Sequence, residues 1–203
     1  MSRPRIALLG GTFDPPHIGH LVLGECARVQ FGCEQVMYVP AGDPYRKSGT
    51  DTEENRRAGA LSARQITPGA VRLEMTRLAV STNQHFVVDG REVDQGGPSY
   101  TVETLESYWG RGYADIVLVL GSDAAADLPN WREPERIREL ARIVVAQKDP
   151  EAPVPGGFEE VDMPLLRVSS TEIRARVAAG KPYRYLVPGT VETFIRSRGL
   201  YVE

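Results

Sequence analysis

Cysteine, lysine and histidine are all scarce in this 203-residue chain. The two cysteines, Cys26 and Cys33, form no C-x-x-C pair and join no Cys/His cluster. A disulfide framework and a zinc centre are therefore not expected, and both thiols read as packing residues in a reducing compartment. Positive charge is not concentrated either: 24 Lys+Arg stand against 27 Asp+Glu, a net charge of −3 with no basic run. That excludes nucleic-acid binding through bulk charge. Apolar stretches such as Ile116–Leu120 and Ile143–Ala146 are far too short for a membrane helix, which needs about 20 residues. The start of the chain, Arg5–Leu9, reads as a strand entering glycines and not as a signal peptide. A G-x-G-x-x-G dinucleotide fingerprint is missing, as are repeats and low-complexity tracts. The expectation is a soluble, cytoplasmic protein with small-molecule partners, no nucleic acid and no membrane; a homo-oligomer stays open.

What is present is a core and a rhythm. With 41% hydrophobic and 25% charged residues, the composition is that of an ordinary globular chain. Buried-strand patterns at Arg5–Leu9, Gln35–Val39, Phe86–Val88, Ile116–Leu120 and Arg142–Ala146 alternate with helical ones. The helices are expected at Ile18–Phe31, Glu53–Gln65, Pro68–Val80, Thr101–Trp109 and Glu133–Leu140. A further strand-like piece lies near Glu160–Met163, and two helices, Ser170–Ala179 and Thr190–Arg198, close the pattern. Such alternation predicts an α/β fold: a doubly wound, largely parallel sheet, helices on both faces, and a small helical part over about 165–203. Three prolines and two glycines make Asp149–Phe158 a loop, and too few residues follow it for a second domain, so the whole of 1–203 is expected to be one domain.

The first strand runs into Gly10-Gly11-Thr12-Phe13-Asp14-Pro15-Pro16-His17-Ile18-Gly19-His20. In an open parallel sheet, ligands bind beyond the carboxyl ends of strands, where helix N-termini point. Gly10 and Gly11 let a phosphate approach the backbone closely, and the following helix adds partial positive charge. His17 and His20, three apart, project from one side of its first turn, and Gly19 leaves room between them. A second anion-seeking end begins at Val168-Ser169-Ser170-Thr171-Glu172-Ile173-Arg174. Ser169 and Glu172 have capping-box spacing, and Arg174 lies one turn in with two-pronged donors. Gly121 and Asp123 stand at the carboxyl end of another strand, the side on which such sheets meet their ligands.

The segment GGTFDPPHIGH resembles the signature of the nucleotidylyltransferase superfamily, whose HxGH motif binds the ATP triphosphate, and SSTEIR resembles its second motif. Class I aminoacyl-tRNA synthetases share the HIGH tetrapeptide, but a KMSKS-type loop is missing here and the chain is short. Gly96–Leu105 (GGPSYTVETL), Gly121–Ala124, Trp131 and Tyr185–Tyr201 are similar to bacterial nicotinate-mononucleotide adenylyltransferases over nearly the whole chain. The resemblance implies AMP transfer from ATP to nicotinate mononucleotide, giving deamido-NAD and pyrophosphate, with Mg²⁺ arriving mainly on ATP and no dedicated protein ligand. It implies His17, His20 and Arg174 as the catalytic donors. Gly10, Gly11, Thr12, Phe13, His20, Gly121, Asp123, Val168, Ser169, Ser170 and Arg174 would bind ATP; Asp14, Lys47, Thr101, Trp131 and Arg132 would bind the mononucleotide. Two positions depart from the family pattern: Tyr45-Arg46 precedes Lys47 where a histidine is common, and Arg132 stands where an aromatic is frequent. Transfer to nicotinamide mononucleotide or phosphopantetheine, or nucleotide binding without turnover, remain the alternatives.

Overall fold

The computed structural model describes residues 4–44, 66–147 and 153–202. Within them lies a six-stranded, all-parallel sheet. Its strands are β1 (Arg5–Gly11), β2 (Gln35–Pro40), β3 (Phe86–Val88), β4 (Asp115–Gly121), β5 (Arg142–Ala146) and β6 (Glu159–Glu160), in the order β3-β2-β1-β4-β5-β6. The chain winds outward from β1 through β2 to β3, then returns to lay β4 on the other side of β1. The direction therefore reverses between β1 and β4, where doubly wound sheets bind ligands.

Alternation along each strand explains why both faces are covered. Ala7, Leu9, Val36, Tyr38, Val117, Val119 and Val144 enter one core cluster, while Ile6, Leu8, Met37, Val39, Ile116, Leu118, Leu120, Ile143 and Val145 enter the other. Successive side chains point to opposite faces, so a strand buried on both sides needs an unbroken apolar run. Each fully buried Leu or Ile contributes roughly 1.5–3 kcal/mol.

Helices α1 (Ile18–Gln30) and α2 (Gly69–Val80) pack on the first face, with Ala27, Met75, Ala79 and Val80 in its core. After β3 come the short α3 (Arg91–Gln95) and α4 (Thr101–Gly110); after β4 come α5 (Ser122–Asp127) and α6 (Pro134–Leu140). Val102, Leu105 and Tyr108 of α4, with Ile137 and Leu140 of α6, fill the second core. Helices α7 (Ser170–Ala178) and α8 (Gly189–Ser197) return to the first face through Ile173, Val177, Val191, Phe194 and Ile195.

Three expectations change. The strand near Glu160–Met163 shortens to Glu159–Glu160, because the Gln30 side chain takes the place of a neighbouring strand. Its Nε2 donates to the Glu160 carbonyl at 2.9 Å and its Oε1 accepts from the Asp162 amide at 2.8 Å. The Gly121–Ala124 stretch, which reads as a turn after the fourth strand, instead opens α5, whose small alanines carry no amphipathic signal. The capping box at Ser169 forms only forwards: Ser169 Oγ accepts from the Glu172 amide at 3.1 Å, while the Glu172 carboxylate turns to Arg176 at 2.9 Å. The expected helix over Glu53–Gln65 lies outside the described residues. No helix among the described residues is long and apolar enough to cross a membrane.

Candidate active site

The loop after β1 carries both histidines onto the N-terminus of α1. His17 is the N-cap residue, in extended conformation, and His20 is the third residue of the helix. The His17 backbone N–H donates to His20 Nδ1 at 3.1 Å. That atom is therefore the acceptor, which leaves the ring proton on Nε2. The two imidazoles stack with centroids 3.7 Å apart and planes 23° from parallel, and the Phe13 ring meets His20 edge-on at 4.9 Å. A Cβ at Gly19 would stand only 3.0–3.1 Å from Val168 and the His17 ring, so glycine is what admits both. At Gly24, one turn on, a Cβ would overlap the Tyr38 hydroxyl, which donates to the His20 carbonyl at 3.1 Å.

His17 is 8% exposed, and its Nδ1 has no hydrogen-bond partner among the described residues. Burial lowers its pKa from 6.5 to about 4, so it is neutral at physiological pH. The unfolded chain protonates this imidazole below about pH 6.5, whereas the folded protein resists until about pH 4. Stability should fall as the pH drops through that window, by roughly 3 kcal/mol from this group alone. Urea unfolding at pH 7 and pH 4 should show a loss in the parent that His17→Gln lacks; equal losses would remove His17 as the cause.

The second motif meets the first directly. Ser170 Oγ donates to the Pro15 carbonyl at 2.9 Å, and Arg174 Nη1 donates to the Asp14 carbonyl at 2.6 Å. Arg174 Nη2 also donates to Thr171 Oγ1 at 3.0 Å. The Ile18 amide bonds the Leu186 carbonyl at 3.0 Å, so the segment before α8 closes on the same helix start. Of the residues expected at ATP, Gly10, Gly11, Thr12, Phe13, His20, Val168, Ser169, Ser170 and Arg174 thus belong to two touching segments, together with the expected catalytic donor His17. Gly10 and Gly121, at the ends of adjacent β1 and β4, both face open space where a Cβ would stand. Asp123 is exposed in the first turn of α5.

Arg72 and Tyr201 escaped the sequence reading. Arg72, only 1% exposed, donates from Nε to the Thr67 carbonyl, from Nη1 to Thr12 and from Nη2 to Gly42, each at 2.8 Å. Burial pulls its pKa below the usual guanidinium value, opposed by the nearby Asp14, Tyr201 and Asp43. Tyr201 donates its hydroxyl to Asp14 Oδ1 at 2.8 Å, and Asp14 itself is 2% exposed.

The residues expected at the mononucleotide join this frame from the other side. Gly42, held by Arg72, donates its amide to Ser99 Oγ at 2.9 Å, just before Thr101 opens α4. The Arg132 guanidinium lies 4.7 Å over the Tyr100 ring and pairs with Glu103 at 2.8 Å, tying the 131–132 turn to the start of α4. The Trp131 indole N–H donates to Asp127 at 3.2 Å, which fixes its tilt. Lys47, with Tyr45 and Arg46, lies outside the described residues.

Residues 8–176 match the cytidylyltransferase-like family. A protein of Roseiflexus sp. strain RS-1 named as a probable nicotinate-nucleotide adenylyltransferase is 40% identical over 212 residues, covering 99% of this chain and 100% of its own length. One of that name from Streptomyces coelicolor is 38% identical, covering 95% of this chain and 98% of its own. The solved structure of Plasmodium falciparum nicotinic acid mononucleotide adenylyltransferase complexed with NaAD superposes with a TM-score of 0.73. At 16% identity over 98% of this chain and 97% of that one, it shares the fold.

Proposed function

The chain belongs to the cytidylyltransferase-like family and, within it, to the nicotinate-nucleotide adenylyltransferases, and from that premise we propose that it transfers AMP from ATP to nicotinate mononucleotide. A phosphate oxygen of the mononucleotide attacks the α-phosphorus of ATP, the bond from that phosphorus to the bridging oxygen breaks, and pyrophosphate leaves with deamido-NAD as product. The reaction is a step of NAD biosynthesis, and we assign it to the cytoplasm.

The observation that carries this reading is the contact between the two anion-binding segments, Ser170 to Pro15 and Arg174 to Asp14. One triphosphate lying across them would be held from two sides. The attacking phosphate is already ionised near neutral pH, since its second pKa is near 6, so a general base is not required. The protein's task is alignment and stabilisation of charge spreading onto the α-phosphate and the leaving group. His20 supplies an N–H on Nε2, oriented because Nδ1 is already occupied. His17 offers a buried imidazole whose Nδ1 a ligand could satisfy. Arg174, Val168, Ser169 and Ser170 take the distal phosphates. Gly10, Gly11, Thr12 and Phe13 present the loop backbone, and Gly121 and Asp123 line the adenosine side.

Thr101 and the Trp131–Arg132 turn receive the nicotinate, with the indole stacked on the pyridine ring. Asp14 and Lys47 complete the mononucleotide site. Arg132 shares its charge with Glu103, so its pull on the substrate carboxylate is partly offset. Mg²⁺ would arrive on ATP, neutralising phosphate charge while keeping several of its waters. Imidazole, guanidinium, hydroxyl and amide donors suit phosphate oxygens, and the single carboxylate of the loop, Asp14, accepts from Tyr201.

Pyrophosphate release should be measured with ATP and, in parallel, nicotinate mononucleotide, nicotinamide mononucleotide and phosphopantetheine. The first should give the highest kcat/KM. A better rate with either other acceptor would replace the substrate, and ATP binding without pyrophosphate from any would make this a binding protein.

A further inference from the structure

The loop that carries the phosphate-binding backbone is held by donors from distant parts of the chain. The Thr12 carbonyl takes Arg72, the Asp14 carbonyl takes Arg174, and the Pro15 carbonyl takes Ser170. Asp14 is held at both its backbone and its side chain, the latter by Tyr201. We infer that Tyr201, beyond α8, is a positioning residue for the transfer: it fixes the Asp14 carboxylate and, through Asp14, the loop and Arg174.

A carboxylate that is 2% exposed needs hydrogen-bond donors in place of the water it has lost. Tyr201 is suited to be one. Burial, and then the adjacent Asp14 charge, push its phenol well above the ordinary value, so it remains a donor throughout the working pH range. Its place is closely defined as well. The phenol contacts Met75 Sδ at 3.8 Å, the ring packs against the first core, and the backbone sits at φ 65, a conformation few non-glycine residues adopt. Without the hydroxyl, Asp14 loses an anchor on its side chain while its carbonyl still carries Arg174. Any rotation of the residue then moves the guanidinium assigned to the triphosphate.

The inference rests on the proposed AMP transfer, so the parent must first release pyrophosphate from ATP and nicotinate mononucleotide. Tyr201→Phe keeps the ring and removes only the hydroxyl. Measured well below the melting temperature, kcat should fall about tenfold, the scale of one hydrogen bond to a charged group, with the KM for ATP changing less than about threefold. In an Asp14→Asn background, whose amide oxygen is a weaker acceptor, the same substitution should cost less than about threefold. A Tyr201→Phe enzyme within about twofold of the parent, or equal penalties in both backgrounds, overturns the inference. Should Asp14→Asn lack measurable turnover, the single variant decides. Amide hydrogen exchange over residues 10–20 needs no turnover: it should quicken in Tyr201→Phe, and unchanged exchange overturns the inference even if the reaction itself were misassigned.

Discussion

His20→Ala should lose about 10²–10³ in turnover, the usual cost of removing one preorganised donor from a developing oxyanion. The imidazole is set by two constraints that leave little freedom: Nδ1 accepts the His17 amide at 3.1 Å, and the ring is stacked on His17 at 3.7 Å. The variant also strips a cap from the start of α1, worth about 1 kcal/mol of stability. The two effects separate in His20→Glu. Glutamate at the third helical position is the usual partner in a reciprocal cap and its carboxylate carries no N–H, so stability should return while the donor does not. Pyrophosphate release and urea unfolding on both variants provide the check. Near-normal turnover in His20→Ala would take the imidazole out of the chemistry.

Arg72→Met should be the most destabilising single change away from the hydrophobic core. It leaves three carbonyls, of Thr12, Gly42 and Thr67, without the donor they share. An unsatisfied buried acceptor costs about 1–3 kcal/mol, and partial relaxation brings the expected total to roughly 3–5 kcal/mol. That is a large part of the 5–15 kcal/mol by which a typical domain is stable. Arg72→Lys should recover less than half, because an ammonium is a point donor and cannot span three acceptors as the planar fork does. Urea midpoints give the comparison, and a loss below about 1 kcal/mol in Arg72→Met would show that water replaces the guanidinium.

The parts of this molecule that could be read from sequence are those whose signal is local. Unbroken apolar runs marked β1, β4 and β5, because a strand covered on both faces has no polar side to interrupt it. The glycine–histidine loop and the SSTEIR helix start were legible because their residues act within a turn of one another. Arg72 was not, since in GAVRLEMTRLAV it looks like any charged residue on a solvated helix face. Its acceptors are up to 60 residues away. Tyr201 bonds a residue 187 positions earlier, and such a pairing leaves no trace in spacing or periodicity. Asp127 was missed similarly: the carboxylate that orients Trp131 sits in an alanine-rich stretch that reads as a turn.

The seat that Gly24 offers to the Tyr38 hydroxyl decides how low α1 can ride over β2. A single methyl there would act as a wedge under the helix and tilt its first turn away from the strand ends. Both imidazoles travel with that turn. Displacements of about 1 Å can cost two orders of magnitude in rate, so an atom that is not there, one full turn from the nearest reacting group, governs the height at which the chemistry takes place.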